Sequence, residues 1–288
     1  MTTQHDGAQR DRTQHDRARA FRTLHRPSSP LALANAWDVA SARLIEAAGS
    51  AAVATTSAGV AWSLGAADGN EIDRERAVDL VARIAAAVDV PVSADIESGF
   101  GATAAEVGET VAQVIAAGAV GVNIEDAHTD PAVPLRPAAE QAARIAAARA
   151  AAEATGVPLF INARTDTYLS GALDESVRLQ ETLDRARTYL AAGADGIFVP
   201  GVTDLAEVAA LTDGIDAPVN ILVGSGAPSV ADLARCGVAR ISLGSSVVLS
   251  AYAVVRRATE ELLGTGTYGG LADGLEYGEL NALMRRAD

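Results

Sequence analysis

Short apolar stretches alternate along this chain with longer segments in which apolar residues recur every three to four positions. The apolar stretches predict eight β-strands, at residues 31–37, 51–57, 90–97, 119–126, 158–165, 195–201, 218–224 and 239–244. The periodic segments predict six helices, at residues 74–88, 103–117, 138–155, 174–192, 204–213 and 228–236. Strands that alternate with helices in this way pair in parallel through right-handed crossovers.

A degenerate repeat supports this alternation. The segments "EAAGSAAVAT", "IAAGAVGVNIE", "LAAGADGIFVP" and "ARCGVARISLG" each pass from a helix end, through glycine, into a strand. Glycine just beyond a helix is the expected left-handed cap, and its recurrence indicates a repeated strand–helix unit. The pattern predicts a (β/α)8 TIM barrel, with a doubly wound open sheet as the alternative.

The two ends of the chain differ from the repeating part. Residues 1–17 are polar and charged and predict a disordered tail, although "RARAFRTLHRP" could add a short helix before the barrel. Residues 18–288 are predicted to form a single barrel domain. From about residue 250 the pattern changes to a helix, a glycine-rich turn and a second helix, a C-terminal extension that covers the barrel or reaches a neighbouring subunit.

Composition narrows the class of protein. Hydrophobic residues make up 49% of the chain but aromatic residues only 4%, so the core must consist of Ala, Val, Leu and Ile. The net charge of −14 disfavours nucleic acid and anionic membranes as partners. The single cysteine, Cys236, cannot form an internal disulfide, and residues 1–20 lack the apolar stretch of a secretory signal. A cytoplasmic location is expected.

The chemically informative residues follow the predicted strands. Asp95 and Glu97 end the third strand, Glu125 ends the fourth and Arg164 ends the fifth. In a barrel these strand ends meet at one face. Carboxylates alone, without His or Cys, suit Mg²⁺ or Mn²⁺, and Arg164 could clamp a substrate carboxylate through two parallel hydrogen bonds.

Each of these residues also has a structural interpretation. An acidic residue at a strand end can cap the next helix, and Asp126 could do so or pair with Arg136. Arg164 could serve as an ion-pair partner of Glu125. The functional interpretation rests on the co-location of polar groups at the ends of consecutive strands.

Five segments resemble the isocitrate lyase/phosphoenolpyruvate mutase superfamily: "NAWDVASARLIEAAG", "TTSAGVAWSLGAADG", "SADIESGFG", "VGVNIEDA" and "NARTD". They occur in order, and the resemblance spans roughly residues 18–260. It implies a (β/α)8 barrel that assembles as a homo-oligomer, a dimer or a tetramer, in which neighbouring subunits exchange the eighth helix. It also implies cleavage or formation of a C–C or P–C bond beside a 2-oxo acid, through a Mg²⁺-bound pyruvate enolate.

The resemblance also assigns roles to residues. It makes Asp95 the direct metal ligand, with Glu97, Glu125 and Asp68 holding the metal's water molecules. Further residues would bind substrate or act on it; these are Trp37, Ser57, Ala58, Gly59, Arg164 and Asn220. Among them, Ser57 and the amides of Ala58 and Gly59 would hold the pyruvyl carboxylate, while Arg164 would neutralise developing charge.

Departures from the family pattern bear on the reaction. The isocitrate and methylisocitrate lyases carry a Lys-Lys/Arg-Cys-Gly-His loop after "IED", whereas this chain has "AHTDPAVPLRPAAEQ", without Lys or Cys. This favours a decarboxylase or hydrolase acting on an oxaloacetate-like or phosphonopyruvate-like acid, with a methylisocitrate lyase type as the alternative. Rivals of other classes are a phosphate-binding barrel using "GSG" (224–226) and "GSS" (244–246), and a non-catalytic binding protein.

Overall fold

The computed structural model of the chain describes residues 14–128, 130 and 132–285. In these residues one parallel sheet closes on itself, because β1 pairs with β9 while β2, which follows directly in the chain, pairs with β3. The strands are β1 (Leu31–Leu33), β2 (Asn35–Ala36), β3 (Val53–Thr55), β4 (Val92–Asp95), β5 (Gly121–Glu125), β6 (Phe160–Arg164), β7 (Gly196–Val199), β8 (Val219–Leu222) and β9 (Arg240–Ser242). The structure is a TIM barrel, as predicted, and the open-sheet alternative is wrong.

All eight predicted strands are present, and the first is divided into β1 and β2 at Ala34. The helices are α1 (14–24), α2 (Val39–Ala47), α3 (Ser57–Ser63), α4 (Arg74–Ala87), α5 (Ala104–Ala116), α6 (Ala138–Thr155), α7 (Glu175–Ala191), α8 (Leu205–Gly214), α9 (Val230–Arg235), α10 (Ser246–Gly264) and α11 (Tyr277–Met284). The six predicted helices are confirmed. Two short helices, α2 and α3, were not predicted as helices, since few turns carry a weak periodic signal.

Helix α1 closes the N-terminal end of the barrel. Of the predicted tail, residues 1–13 lie outside the described residues, whereas residues 14–17 are helical, contrary to the prediction. Phe21 is fully buried and meets Phe160, the first residue of β6, edge to face at a centroid distance of 5.8 Å. His25 stacks on the same ring at 3.9 Å. The barrel bottom is therefore filled with aromatic rings.

Side chains that point into the barrel are polar above this aromatic base. Because residues two apart on a strand share a face, the inward-facing side chains stack in layers, each built from some of the strands. The layer above the base contains Asn123, Asn162, Asn220 and Arg240, and the next layer, at the mouth, contains Asp95, Glu125 and Arg164. The intervening residues, such as Val122, Ile161 and Ile221, face outward and pack under the helices in an aliphatic core.

The C-terminal extension has the predicted order of helix, turn and helix. Helix α10 begins at Ser246, slightly before the predicted position, and is followed by a 3₁₀ turn (Gly269–Leu271) and α11. The guanidinium of Arg43 donates to the carbonyl of Leu283 and ties α11 to α2. In the described part of the chain, no helix is long and apolar enough to cross a membrane.

Candidate active site

Asp95 lies at the centre of the barrel mouth, at the end of β4. Its amide donates to Oγ1 of Thr55 at 2.8 Å, and its Oδ1 accepts from the amide of Glu97 at 3.1 Å. Asn123 lies beside Asp95 in the register of β4 and β5. Burial raises the pKa of Asp95, the charge of Arg164 opposes this, and the charge of Asp68 adds to it.

The turn after β4 has an unusual backbone. Among the described residues, positive φ outside glycine occurs at Asn70 (+64°), Glu97 (+50°) and Phe100 (+47°). Strained backbone of this kind costs about 1–3 kcal/mol per residue and concentrates at functional sites. Gly99 has φ +100°, and a Cβ atom there would lie 2.7 Å from Cγ2 of Val107. The glycines of "SGFG" therefore allow a tight turn that sets the direction of Glu97.

The carboxylate of Glu97 is buried beneath the loop that precedes α4. Its Oε2 accepts from the amide of Asn70, while its Oε1 is buried without a hydrogen-bond partner. Ser98 holds the same loop, because its hydroxyl donates to Oδ1 of Asn70 at 2.9 Å. Burial raises the pKa of Glu97 to about 7, the Asn70 amide opposes the shift, and the charges of Asp95 and Asp68 add to it.

Glu125 and Arg164 form an ion pair across β5 and β6, whose register places them side by side. Nη1 of Arg164 lies 2.8 Å from Oε2 of Glu125. The other edge of the guanidinium binds Asp166 through two bonds, Nε–Oδ1 at 2.6 Å and Nη2–Oδ2 at 2.8 Å. The structural interpretation of Arg164 is thus confirmed, and the side chain is also held rigidly at the mouth.

Burial and neighbouring charges act in opposite directions on the pKa values of Glu125 and Arg164. Burial raises the pKa of Glu125, Arg164 pulls it down, and Asp166, Asp95 and Glu97 raise it further. For Arg164, burial favours the neutral form, but Glu125 and Asp166 outweigh it and raise the pKa above its usual value. The guanidinium therefore stays cationic at any ordinary pH and is the fixed positive charge of the mouth.

These residues fit a hard cation held mainly through water. In the described residues, no group of three or more Asp, Glu, His or Cys is arranged to hold an ion directly. Glu125 is turned toward Arg164 and Glu97 toward Asn70, which leaves Asp95 as the carboxylate available for direct contact. The buried, unpartnered Oε1 of Glu97 is an acceptor that a metal-bound water could use.

The predicted pyruvyl-binding residues form the first turn of α3. Amides in the first turn of a helix have no partners within the helix and can bind an anion. Ser57, Ala58 and Gly59 occupy this turn, two residues after Thr55, whose hydroxyl accepts from the amide of Asp95. A Cβ atom on Gly59 would lie 2.8 Å from Cβ of Trp37. The structure therefore brings Trp37 and this turn together beside Asp95.

Asp68 and Asn220 lie in different surroundings. Asp68 is exposed on the loop between α3 and α4, close enough for its charge to raise the pKa of both Asp95 and Glu97. Asn220 is buried one layer below the mouth, where it accepts from Asn162 at 3.1 Å and donates to Ser242 Oγ at 3.1 Å. Its contact with substrate stays a prediction.

Asp126 has a structural role that differs from both interpretations considered for it. Its Oδ2 accepts from Tyr189 at 2.7 Å, from Arg185 at 3.0 Å and from the Thr165 hydroxyl at 2.9 Å. It caps no helix, and the side chain of Arg136 pairs with Glu140 instead. The expectation failed because Arg185 and Tyr189 come from α7, distant in sequence but adjacent in space.

A cavity of about 450 Å³ adjoins the mouth on the side of Glu97. It is lined by Asn70, Ile72, Asp73, Arg74, Ser98, Phe100, Gly101, Ala102, His128 and Arg136. The Asn70–Ser98 hydrogen bond therefore lies in its wall, next to the buried carboxylate of Glu97.

The phosphate-binding alternative requires free backbone amides in the segments that follow β8 and β9. One of these amides, that of Gly244, already donates to Oδ1 of Asn35 at 2.8 Å.

Sequence reasoning missed the polar layer beneath the mouth. Asn123 and Asn162 stand two residues before Glu125 and Arg164, so "NIE" and "NAR" carry a signal of period two that places them on the same inward face. Arg240, at the start of β9, gives no comparable signal, because an arginine after "GVA" is typical of an exposed strand end.

Comparisons with known proteins identify the family of this chain. The model of the phosphoenolpyruvate phosphomutase family matches residues 21–263. An uncharacterized protein of Mycobacterium tuberculosis is 39% identical over 226 residues, which are 78% of this chain and 82% of that protein. The 2-methylisocitrate lyase of Escherichia coli is 31% identical over 205 residues, 69% of this chain and 67% of the lyase. An oxaloacetate decarboxylase of Pseudomonas savastanoi is 32% identical over 227 residues, with 75% and 73% covered.

Solved structures show the same barrel. A protein of Burkholderia cenocepacia, provisionally assigned as a lyase or mutase, has a TM-score of 0.89 and 39% identity, and 96% of this chain and 98% of that chain are covered. A phosphonopyruvate hydrolase crystallised with oxalate and Mg²⁺ has a TM-score of 0.81 at 24% identity, with 93% and 94% covered, and shares the fold. Because the family model spans most of the barrel and carries the motifs at its mouth, the chain belongs to the phosphoenolpyruvate phosphomutase family, within the isocitrate lyase/phosphoenolpyruvate mutase superfamily.

Proposed function

We propose that this protein is a Mg²⁺- or Mn²⁺-dependent enzyme that cleaves or rearranges a C–C or P–C bond of a small 2-oxo or 2-hydroxy acid. The observation that carries the proposal is the arrangement of Asp95, Glu97 and Glu125 around the fixed guanidinium of Arg164 at the barrel mouth. Burying so many carboxylates is costly unless cations compensate their charge. The guanidiniums of Arg164 and, one layer deeper, Arg240 are fewer than these carboxylates and Asp166, so a divalent cation would neutralise the remaining negative charge.

In this proposal, Asp95 holds the cation directly, and Glu97, Glu125 and the exposed Asp68 hold its water molecules. When bound, the cation would polarise the 2-oxo group of the substrate and stabilise the negative charge that develops on its oxygen. Support comes from the phosphonopyruvate hydrolase of the same fold, which was crystallised with oxalate and Mg²⁺.

The chain's own groups would position the acid. The amides of Ala58 and Gly59 and the hydroxyl of Ser57 would bind the substrate carboxylate at the first turn of α3, next to Asp95. Arg164 would neutralise charge on the reacting atoms from the side of β6, its orientation fixed by Asp166. Trp37 would close the pocket through its packing on Gly59.

The reaction type favoured here is decarboxylation or hydrolysis of an oxaloacetate-like or phosphonopyruvate-like acid. The segment 127–141 contains no cysteine that could act as an acid or base in a tricarboxylate lyase. An oxaloacetate decarboxylase among the relatives supports this preference, and a 2-methylisocitrate lyase among them keeps C–C lyase activity as the alternative.

The test is a substrate panel with Mg²⁺: oxaloacetate, phosphonopyruvate, phosphoenolpyruvate, 2-methylisocitrate and substituted malates, followed by release of pyruvate or glyoxylate. We expect turnover of a 2-oxo acid that stops when EDTA is added and returns with Mg²⁺. Turnover of 2-methylisocitrate alone would select the lyase alternative. Mg²⁺-dependent oxalate binding with no turnover of any acid would instead favour the non-catalytic rival.

We also propose that the protein assembles as a homodimer or homotetramer. Helix α10 and the segment that follows it expose large apolar side chains, including Val255 (62% exposed), Leu263 (80%) and Tyr277 (84%). Exposed apolar clusters of this kind mark contact surfaces. Light scattering of the purified chain would give its mass in solution, and a monomer at micromolar concentration would contradict the proposal.

A further inference from the structure

Arg240 is a fully buried arginine in the interior of the barrel. Its residue is 1% exposed, and the guanidinium lies over the ring of Phe21 at 5.9 Å, one layer below the mouth. Nη2 donates to Oδ1 of Asn123 at 3.3 Å, whereas Nε and Nη1 have no hydrogen-bond partner. A buried arginine with so few contacts is costly, so its position needs a reason.

The other buried arginines in the described residues are better satisfied. Arg144 donates to the carbonyls of Ser98, Gly101 and Ala102, and Arg185 pairs with Asp126. Arg240 has no carboxylate within ion-pair distance in the part of the chain that the structure describes. Burial lowers its pKa to about 10, and the charge of Asp95 acts in the opposite direction, so the side chain stays cationic at neutral pH.

The contact with Arg240 fixes the orientation of an asparagine amide. The Oδ1 atom of Asn123 accepts from Nη2 of Arg240 and from Nδ2 of Asn162, the latter at 2.9 Å. Both of these groups can only donate, so the oxygen of the Asn123 amide must face them. The amide nitrogen then faces β4, where Asp95 lies beside Asn123 in the register of the two strands.

We propose that Arg240 is a positioning residue for the metal site, acting through Asn123, whose amide it orients to donate to Asp95. In this arrangement the amide nitrogen of Asn123 approaches the Asp95 carboxylate from β5, and the amide of Glu97 donates to its Oδ1. Together these two amides would hold the carboxylate in one orientation, with its remaining acceptor sites directed to the mouth. This inference rests on the proposed role of Asp95 as the metal ligand.

A purely electrostatic role for Arg240 makes the opposite prediction. A cation beneath the mouth repels Mg²⁺ or Mn²⁺, so removal of its charge alone would tighten metal binding. Loss of the positioned amide would weaken binding instead, because groups that orient a metal ligand contribute about 10- to 100-fold to affinity. The sign of the change therefore separates the two roles.

The experiment measures Mn²⁺ affinity of the purified full chain by isothermal titration calorimetry and electron paramagnetic resonance. Arg240→Met keeps the length of the side chain but removes the donors and the charge, and we expect affinity to fall about tenfold. Asn123→Ala removes the amide and leaves Arg240 in place, and we expect a similar loss. The double variant should be no weaker than the single variants, because both act on one hydrogen bond.

Arg149→Met is the matched control. Arg149 is held by the carbonyls of Gly193 and Leu159 and by an ion pair with Asp195, and it lies near the N-terminal ends of β6 and β7, away from the mouth. We expect this variant to lose thermal stability with an unchanged Mn²⁺ affinity. Thermal melts of all variants establish which of them are folded at the temperature of the titration.

The outcomes distinguish this inference from the proposed function. If the wild-type chain binds no Mn²⁺, the proposed metal site fails, and the positioning role fails with it. If the wild type binds Mn²⁺ and Arg240→Met binds it equally or more tightly, the positioning role alone is overturned. Should Arg240→Met not fold, an unchanged affinity in Asn123→Ala would overturn it equally.

Discussion

The two ends of the barrel bury ionisable groups in opposite ways. At the bottom, His25 is buried between aromatic rings, and burial followed by the charge of Arg240 lowers its pKa to about 3, so the ring is neutral. At the mouth, Glu97 and Glu125 lie near the fixed guanidinium of Arg164, and Glu97, with a pKa of about 7, can still ionise near neutral pH. The bottom therefore stabilises the fold. At the mouth, the buried carboxylates lower the stability of the fold but can bind a ligand.

This contrast follows from what each end contacts. Phe21, Phe160 and the neutral His25 are satisfied by one another and by apolar burial, which contributes about 25 cal/mol per Å². The carboxylates at the mouth are buried with fewer partners than they have lone pairs, as the unpartnered Oε1 of Glu97 shows. Variants at the mouth should therefore change binding and leave stability nearly intact, and variants at the bottom should do the reverse.

The largest effect is expected for Asp95→Ala. The variant should lose Mg²⁺-dependent oxalate binding by about 100-fold or more, because the direct ligand is gone. Its thermal stability should equal or exceed that of the wild type, since a buried charge has been removed. Calorimetric titration with oxalate and Mg²⁺ measures the first, with the exposed Asp213→Ala as control. Unchanged oxalate binding would refute the assignment of the site.

Arg164→Lys is expected to reduce turnover about 100-fold, because an ammonium cannot hold Asp166 through two bonds and also reach Glu125. Steady-state kinetics on the best acid of the panel provide the measurement. Arg187→Lys, in an exposed pair with Asp184, is the matched control and should behave as wild type. Near-normal kinetics of Arg164→Lys would remove Arg164 from the mechanism.

At the other end, Phe21→Ala should lower the free energy of unfolding by about 3–5 kcal/mol, because it empties the space between Phe160, His25 and Gly121. Urea unfolding measures the loss, and Tyr277→Ala, which truncates an aromatic side chain that is 84% exposed, should cost less than about 0.5 kcal/mol. A Phe21 variant as stable as wild type would contradict the role of α1 as the base of the barrel.

The smallest effect is on the pH dependence of the metal-free protein. Glu97 has a pKa of about 7 against an ordinary value of 4.5, so the folded state binds more protons and stability falls as pH rises between these values. His25 has a pKa of about 3 against 6.5, so its contribution is complete above pH 6.5 and is lost as pH falls toward 3. The two slopes, each at most about 1.4 kcal/mol per pH unit, oppose each other between pH 4.5 and 6.5.

Two variants separate these slopes. Glu97→Gln should make stability fall less steeply as pH rises from 4.5 to 7, while Glu125, whose pKa is also raised by burial, keeps a slope of the same sign. His25→Phe keeps a ring against Phe160 and should remove the part of the stability loss that His25 causes as pH falls below 6.5. Thermal melts in EDTA from pH 4.5 to 8 give the comparison with wild type. Identical pH profiles in all three proteins would show that the two ends do not differ in this way.

Much of the site could be predicted because strand ends in a parallel barrel share one face. That rule placed Asp95, Glu97, Glu125 and Arg164 together from their positions in the sequence alone. It could not reveal that Arg164 is held by Asp166, that Glu97 has positive φ, or that Asp126 accepts hydrogen bonds from side chains of α7. Those facts depend on side-chain direction and on elements far apart in the chain.

The sequence by itself determined the barrel, its order of strands and helices, and the positions of the polar residues at its mouth, because hydrophobic periodicity and strand-end motifs are local signals. Only the tertiary structure decided which groups meet inside the barrel, where Arg240 of β9 reaches Asn123 of β5 across the interior. It also decided that residues from position 14 onward close the bottom. Both depend on barrel closure, which brings together residues more than 100 positions apart and sets each charge in its own surroundings.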